Sequence, residues 1–216
     1  MALAMAQRLP VKPLVFLAAA APAAIITADA FSGRLGANPP DAIIDRSGLW
    51  CLRLLLATLA VTPLRLLTGW RWPMRVRRML GLFAFFYGVV HFAAWGLFEH
   101  GLRLGPLWAD LWDHLYLAVG FLAVAGMVPL AATSFDAAMR RLGVWWVRLH
   151  RTVYLLAALS VLHYYLLVKA DVRDPLIYAG LLAVLLGYRL LPRPWQRAGD
   201  LLRPAPRRPT RPAAGP

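Results

Sequence analysis

Cysteine is nearly absent from this chain: Cys51 stands alone among 216 residues. One thiol excludes an internal disulfide, a four-cysteine zinc or iron–sulfur site, and the two-cysteine attachment of c-type haem. Any redox centre must therefore be held by other ligands. Charge is scarce as well, at 16% of residues, and negative charge is scarcest, with 10 acids against 24 basic residues. Neither G-x-G-x-x-G nor G-x-x-x-x-G-K occurs, which argues against a nicotinamide-binding domain within the chain.

Apolar residues make up what remains. They account for 60% of the sequence, with nine Trp, nine Phe and seven Tyr, the composition of a polytopic membrane protein. A helix needs about 20 apolar residues to cross the hydrocarbon core. Six stretches approach that length, at 14–30, 49–67, 79–98, 115–132, 150–168 and 176–191. The expected fold is an all-α bundle of six transmembrane helices over 1–191, followed by a basic, Pro/Arg-rich cytoplasmic tail over 192–216 with no apolar periodicity. A basic start followed by Ala28-Asp29-Ala30 also gives the first stretch the look of a secretory signal; an uncleaved span is the preferred reading.

The formal charge of +14 has a topological explanation, so no nucleic-acid partner is expected. With a cytoplasmic N-terminus, 18 of the basic residues fall at the inner face and six at the outer face. The positive-inside rule then places both termini in the cytoplasm. Acids concentrate outside, among them Asp41, Asp45, Glu99, Asp110, Asp113, Asp171 and Asp174. Trp50, Trp95, Trp108 and Trp112 suggest an outer aromatic belt, and Trp70, Trp72, Trp145 and Trp146 an inner one.

His91 and His163 lie inside apolar spans, where an ionisable side chain is costly and marks a functional site by default. Counting about 1.5 Å per residue from the inner face puts both roughly 18 to 20 Å deep, level with each other in the outer half of the membrane. Two imidazoles at one depth on different helices can hold a six-coordinate b-type haem from opposite sides. A proton or ion pathway and simple interhelical hydrogen bonding are the alternatives. The aromatic run Phe83–Val90 and the pair Tyr164 and Tyr165 offer bulk for a porphyrin. His150, at the inner interface, reads as a ligand to a second, inner haem, as part of an electron-entry site, or as an interfacial residue near lipid headgroups. His100 and His114 read as solvated. Arg53, near the outer end of the second span, either snorkels outward or neutralises a haem propionate.

A set of ordered segments goes further than any one residue. Gly36-Ala37-Asn38-Pro39, Thr62-Pro63-Leu64-Arg65, Arg77-Arg78-Met79-Leu80-Gly81-Leu82 and His91 are followed by Leu130-Ala131-Ala132-Thr133-Ser134-Phe135-Asp136 and Arg140-Arg141-Leu142-Gly143. Leu149-His150-Arg151-Thr152-Val153-Tyr154, Leu162-His163-Tyr164 and Pro175-Leu176-Ile177-Tyr178-Ala179-Gly180 complete the set. This pattern closely resembles the MsrQ family, formerly YedZ, the haem-binding membrane subunits of bacterial methionine-sulfoxide reductase systems. That family is related to the ferric-reductase and NADPH-oxidase transmembrane domains. The resemblance implies a six-helix inner-membrane protein carrying haem b and flavin mononucleotide (FMN), with His91, His150 and His163 as ligand candidates. It also implies electron delivery from the quinone pool, or from a cytosolic flavin reductase, to a periplasmic molybdopterin enzyme, MsrP, where catalysis resides. A self-contained ferric or quinone reductase and a proton or ion conductor are the rival readings.

Overall fold

The computed structural model describes residues 11–190, and the Pro/Arg-rich segment 192–216 lies outside them. Nine helices occur among the described residues: α1 (Val11–Phe31), α2 (Pro39–Thr68), α3 (Trp72–His100), α4 (Leu104–Asp113), α5 (Leu115–Ala132), α6 (Asp136–Leu142), α7 (Val144–Arg151), α8 (Val153–Leu167) and α9 (Arg173–Leu190). The all-α expectation holds. Four of them, α1, α2, α3 and α5, are long and apolar enough to cross a membrane. The other two expected spans differ for physical reasons: α8 has only 15 residues, and α9 carries Arg173, Asp174 and Arg189 within its 18.

Two helices outgrow their apolar stretches. Pro39 and Pro40 open α2, since a proline in the first turn gives up an N–H that has no helical partner anyway. The 30 residues of α2 therefore begin a full ten positions before the apolar run and extend to Gly69, whose φ of 75° ends the helix in the left-handed region. That early start carries Asp41, Ile44 and Asp45 on helical backbone. Two connections expected as loops are also helical. The amphipathic α4 buries Leu111 and leaves Trp108 and Trp112 edge-to-face, ring centres 5.5 Å apart.

Two of the prolines inside helices, Pro22 and Pro63, are met by a side chain from another helix. Pro22 interrupts α1, and the backbone pair that would close the next turn is opened. The Tyr87 hydroxyl of α3 fills the opening: it donates to the Ala19 carbonyl at 2.8 Å and accepts from the Ala23 N–H at 2.9 Å. Pro63 in α2 has no N–H for the Leu59 carbonyl four residues earlier. Arg189 of α9 supplies the missing donor at 2.8 Å, with its guanidinium 4.8 Å over the Tyr154 ring. Asp29 at the end of α1 pairs with Arg46 of α2 at 2.8 Å. The first helix is thus tied into the bundle at two depths, and the core around it comprises Leu52, Leu55, Leu59, Ala84 and Ala157.

Near the start of α3, Arg78 binds the Asp136 carboxylate at the start of α6 at 2.5 Å. The guanidinium holds this carboxyl below its ordinary value of 3.8.

Candidate functional site: a cavity between two histidines

A cavity of about 660 Å³ lies between α2, α3, α5 and α8 and reaches the helix ends at Asp41, Glu99 and Asp110. Its size falls inside the range of roughly 300 to 1,000 Å³ typical of small-molecule sites. His91 of α3 and His163 of α8 face each other across it, ring centres 6.0 Å apart and planes 77° apart. The two residues that sequence depth made level are brought together.

Each imidazole is held by the backbone of a neighbouring helix. Nδ1 of His91 lies 2.8 Å from the Ile44 carbonyl, and Nδ1 of His163 lies 2.7 Å from the Tyr116 carbonyl. A carbonyl can only accept, so both rings donate from Nδ1–H, and in the neutral imidazole this leaves a free lone pair on Nε2. This is the neutral, backbone-anchored tautomer that presents a histidine to a metal. Two metal–nitrogen bonds of about 2 Å and two imidazole radii of roughly 1 Å sum to about 6 Å, which matches the observed separation. The donor set therefore fits a bis-imidazole iron.

Around the rings the lining is graded. Gly88 and Ser160 each precede a histidine by three residues and leave room one turn deeper, where Cys51, Leu52, Ala123 and Val124 form an apolar floor. Phe92, Phe121, Tyr116, Tyr164 and Trp95 supply flat aromatic faces. The aromatic run before His91 does not serve this purpose. Phe86 points outward, Phe83 packs edge-to-face on Phe16 at 5.2 Å, and Tyr87 is committed to α1. Trp95 also departs from its expected place in the outer belt: it lines the cavity and packs against His100, ring centres 4.8 Å apart.

The remaining candidates lie elsewhere. His150 is in α7, separated from α8 at Thr152, whose N–H and hydroxyl both bond the Leu149 carbonyl. Its helical register therefore does not run unbroken to His163, as counting along one span assumed. The His150 ring stacks on Trp146 at 3.9 Å and donates from Nδ1 to the Trp146 carbonyl at 3.1 Å. Its Nε2 is buried and finds no hydrogen bond of good geometry among the described residues, and the residue does not line the cavity. Arg53 sits on the far face of α2, where Nε donates to the Tyr178 hydroxyl at 2.9 Å and the guanidinium lies 5.2 Å over Trp50. It is not among the cavity residues either, so this geometry lends nothing to a propionate role. His100, expected to be solvated, lines the cavity with its side chain only 12% exposed, and His114 is open. Both approach Asp110, at 3.2 and 2.9 Å.

Sequence reasoning missed Gly48 and Gly120, which lie directly against the two imidazoles. Spacing signals of the kind used for histidine say nothing about a glycine on another helix.

Comparison with known proteins places this arrangement in a family. Residues 47–161 match the family described as "Ferric reductase like transmembrane component". The protein-methionine-sulfoxide reductase heme-binding subunit MsrQ of Rhodospirillum rubrum is 48% identical over 179 residues, covering 82% of this chain and 86% of the relative. MsrQ of Xanthomonas axonopodis pv. citri is 48% identical over 189 residues, with 83% and 85% covered. MsrQ of Xanthomonas euvesicatoria pv. vesicatoria is 45% identical over 215 residues, covering 95% of this chain and 94% of the relative. No solved structure matches. Identity at this level along nearly the full length of both chains means that this chain belongs to the MsrQ family of ferric-reductase-like membrane subunits.

Proposed function

We propose that the chain is the haem b-carrying electron-transfer subunit of a methionine-sulfoxide reductase system in the bacterial inner membrane, with both termini cytoplasmic. His91 and His163 are the axial ligands in this reading. It is carried by one observation: two backbone-anchored imidazoles facing each other at the separation a shared iron requires. The haem, once bound, supplies reversible one-electron chemistry at iron. The residues supply the rest: Ile44 and Tyr116 fix the tautomers of the two histidines that would hold the iron, and the apolar floor would exclude water beneath it. Iron held by both histidines would have no open coordination position and would suit electron transfer over substrate activation.

Electrons enter from the quinone pool, or from a cytosolic flavin reductase, with FMN on the donor side. They leave at the outer face to the periplasmic molybdopterin enzyme MsrP, which performs the reduction of methionine sulfoxide. The position of the cavity supports this direction, because its rim is formed by outer helix ends. Catalysis therefore resides in the partner. His150, with its buried Nε2, is kept as a ligand candidate for a second, inner haem.

The test is a reduced-minus-oxidised spectrum with haem and flavin content per chain, for the wild type and for His91→Ala, His163→Ala and His150→Ala. A low-spin b-type spectrum lost in the first two variants supports the assignment. Partial haem loss in His150→Ala would add the inner site. A well-folded wild type without haem would overturn the reading and favour an ion-conducting role; turnover with ferric iron in membranes lacking MsrP would favour a self-contained reductase.

A further inference from the structure

The groups that seat the two histidines recur at a single spacing. His163 follows His91 by 72 positions, Gly120 follows Gly48 by the same interval, and so does Tyr116 after Ile44. Each imidazole-to-carbonyl bond consequently spans 47 residues. The lining continues in register, with Cys51 matched by Ala123, Gly88 by Ser160 and Phe92 by Tyr164. The N-terminal parts of α2 and α5 meet the C-terminal parts of α3 and α8 at the same end of the bundle, so the second hairpin repeats the first in the same direction. A parallel repeat of this kind is related by rotation about an axis along the membrane normal.

We infer that the cavity is built from two equivalent half-sites, and that Gly48 and Gly120 are positioning residues that set the plane of each imidazole by lacking a side chain. The inference rests on the haem reading above and deepens it. In each half-site the ring binds a carbonyl one helical turn before the glycine and lies against the glycine itself. A Cβ on Gly48 would stand 2.9 Å from Nδ1 of His91, and one on Gly120 would stand 2.6 Å from Nδ1 and 2.8 Å from Cε1 of His163. Neither distance is tolerable, and the obstructed atom is the one that donates the anchoring hydrogen bond. Any side chain at either position therefore tilts the ring and breaks its bond to Ile44 or Tyr116.

Ring orientation has a direct readout. In low-spin ferric haem, the angle between two axial imidazole planes governs the splitting of the iron d orbitals, and electron paramagnetic resonance reports it. Planes 77° apart correspond to the highly anisotropic signal of near-perpendicular imidazoles. Parallel planes give the ordinary rhombic one.

The experiment compares full-length wild type with Gly48→Ala, Gly120→Ala and Gly126→Ala, by resonance spectra of the ferric proteins and by haemin titration after haem removal. Gly126 lies on α5 as well, but a Cβ there meets the Leu156 side chain and no imidazole, so it controls for helix packing. The expected result is a highly anisotropic wild-type signal that moves toward the rhombic form in Gly48→Ala and Gly120→Ala. Haem binding should weaken about 10- to 100-fold, as for other groups that orient metal-ligating histidines, and more at Gly120. Gly126→Ala should keep the wild-type signal. If Gly120→Ala retains no haem, Gly48→Ala decides, because its clash is the milder. A wild-type signal and wild-type affinity in Gly48→Ala would overturn the positioning role while leaving the haem reading intact. A wild type that binds no haem would overturn both.

Discussion

The bond between Tyr87 and α1 offers a test in which the size of the effect follows from the structure. Tyr87 is 1% exposed, and its hydroxyl stands between the Ala19 carbonyl and the Ala23 N–H, two groups that would pair with each other in an unbroken helix. Tyr87→Phe keeps the ring and removes only the oxygen, so packing is nearly conserved and two hydrogen bonds disappear. Interhelical hydrogen bonds in membrane proteins average about 0.6 kcal/mol and reach about 1.7. A buried backbone group left without a partner costs about 1 to 3 kcal/mol. Two bonds lost from one buried site therefore give an expected destabilisation of about 2 kcal/mol, or roughly a 30-fold change in the folding equilibrium. Reversible unfolding in mixed micelles would measure it. Pro22→Ala supplies the control, because restoring a regular helix lets Ala23 bond Ala19 directly. The double variant should recover most of the loss. A cost below about 0.5 kcal/mol for Tyr87→Phe, or no recovery with Pro22→Ala, would refute the idea that the hydroxyl substitutes for a broken helical bond.

Arg189→Met should destabilise the bundle by about 1 to 3 kcal/mol, since the Leu59 carbonyl loses the donor that Pro63 cannot provide. Pro63→Ala should lessen that loss in a double-mutant cycle. Arg53→Gln should leave haem content, spectrum and midpoint potential unchanged, because Arg53 faces Trp50 and Tyr178 and not the cavity; a potential shift on redox titration would place it at the haem after all. The Arg78–Asp136 tether should depend on pH in one direction. Its carboxyl titrates below 3.8 in the fold, so the stabilisation is complete above that value and fades only as pH falls through the lower, folded one. Because both partners are exposed, added salt should weaken it at neutral pH, and Asp136→Asn should remove both dependences in thermal melts.

The sequence carried four of the six expected spans and the level histidine pair for one reason: apolar runs and a helical rise of fixed size convert residue counts into depth. That arithmetic brought His91 and His163 to one level. It failed at His150, since Thr152 breaks the helix through which the count ran. It also assigned the aromatic run before His91 to the cavity, although a helix face depends on neighbours that periodicity does not show. Phe83 and Tyr87 turn to α1, while Phe92 and Phe121 face the site. The 72-residue repeat was hidden for a related reason. Its half-sites share a carbonyl, a glycine and a histidine, but the carbonyl belongs to isoleucine in one and tyrosine in the other. A backbone group leaves no signature in side-chain identity.

Division of the site between two hairpins has a consequence for biogenesis. The first hairpin, α2 and α3, is complete by residue 100 yet contributes only one of the two facing imidazoles. The second imidazole, that of His163, emerges from the ribosome more than 60 residues later. In the haem reading proposed above, a nascent chain halted between the two would offer iron a single imidazole and an open face, the arrangement that reacts with oxygen. On that reading, stable cofactor capture waits until α8 is in place, which would make haem acquisition a late step that reports completed assembly of both halves.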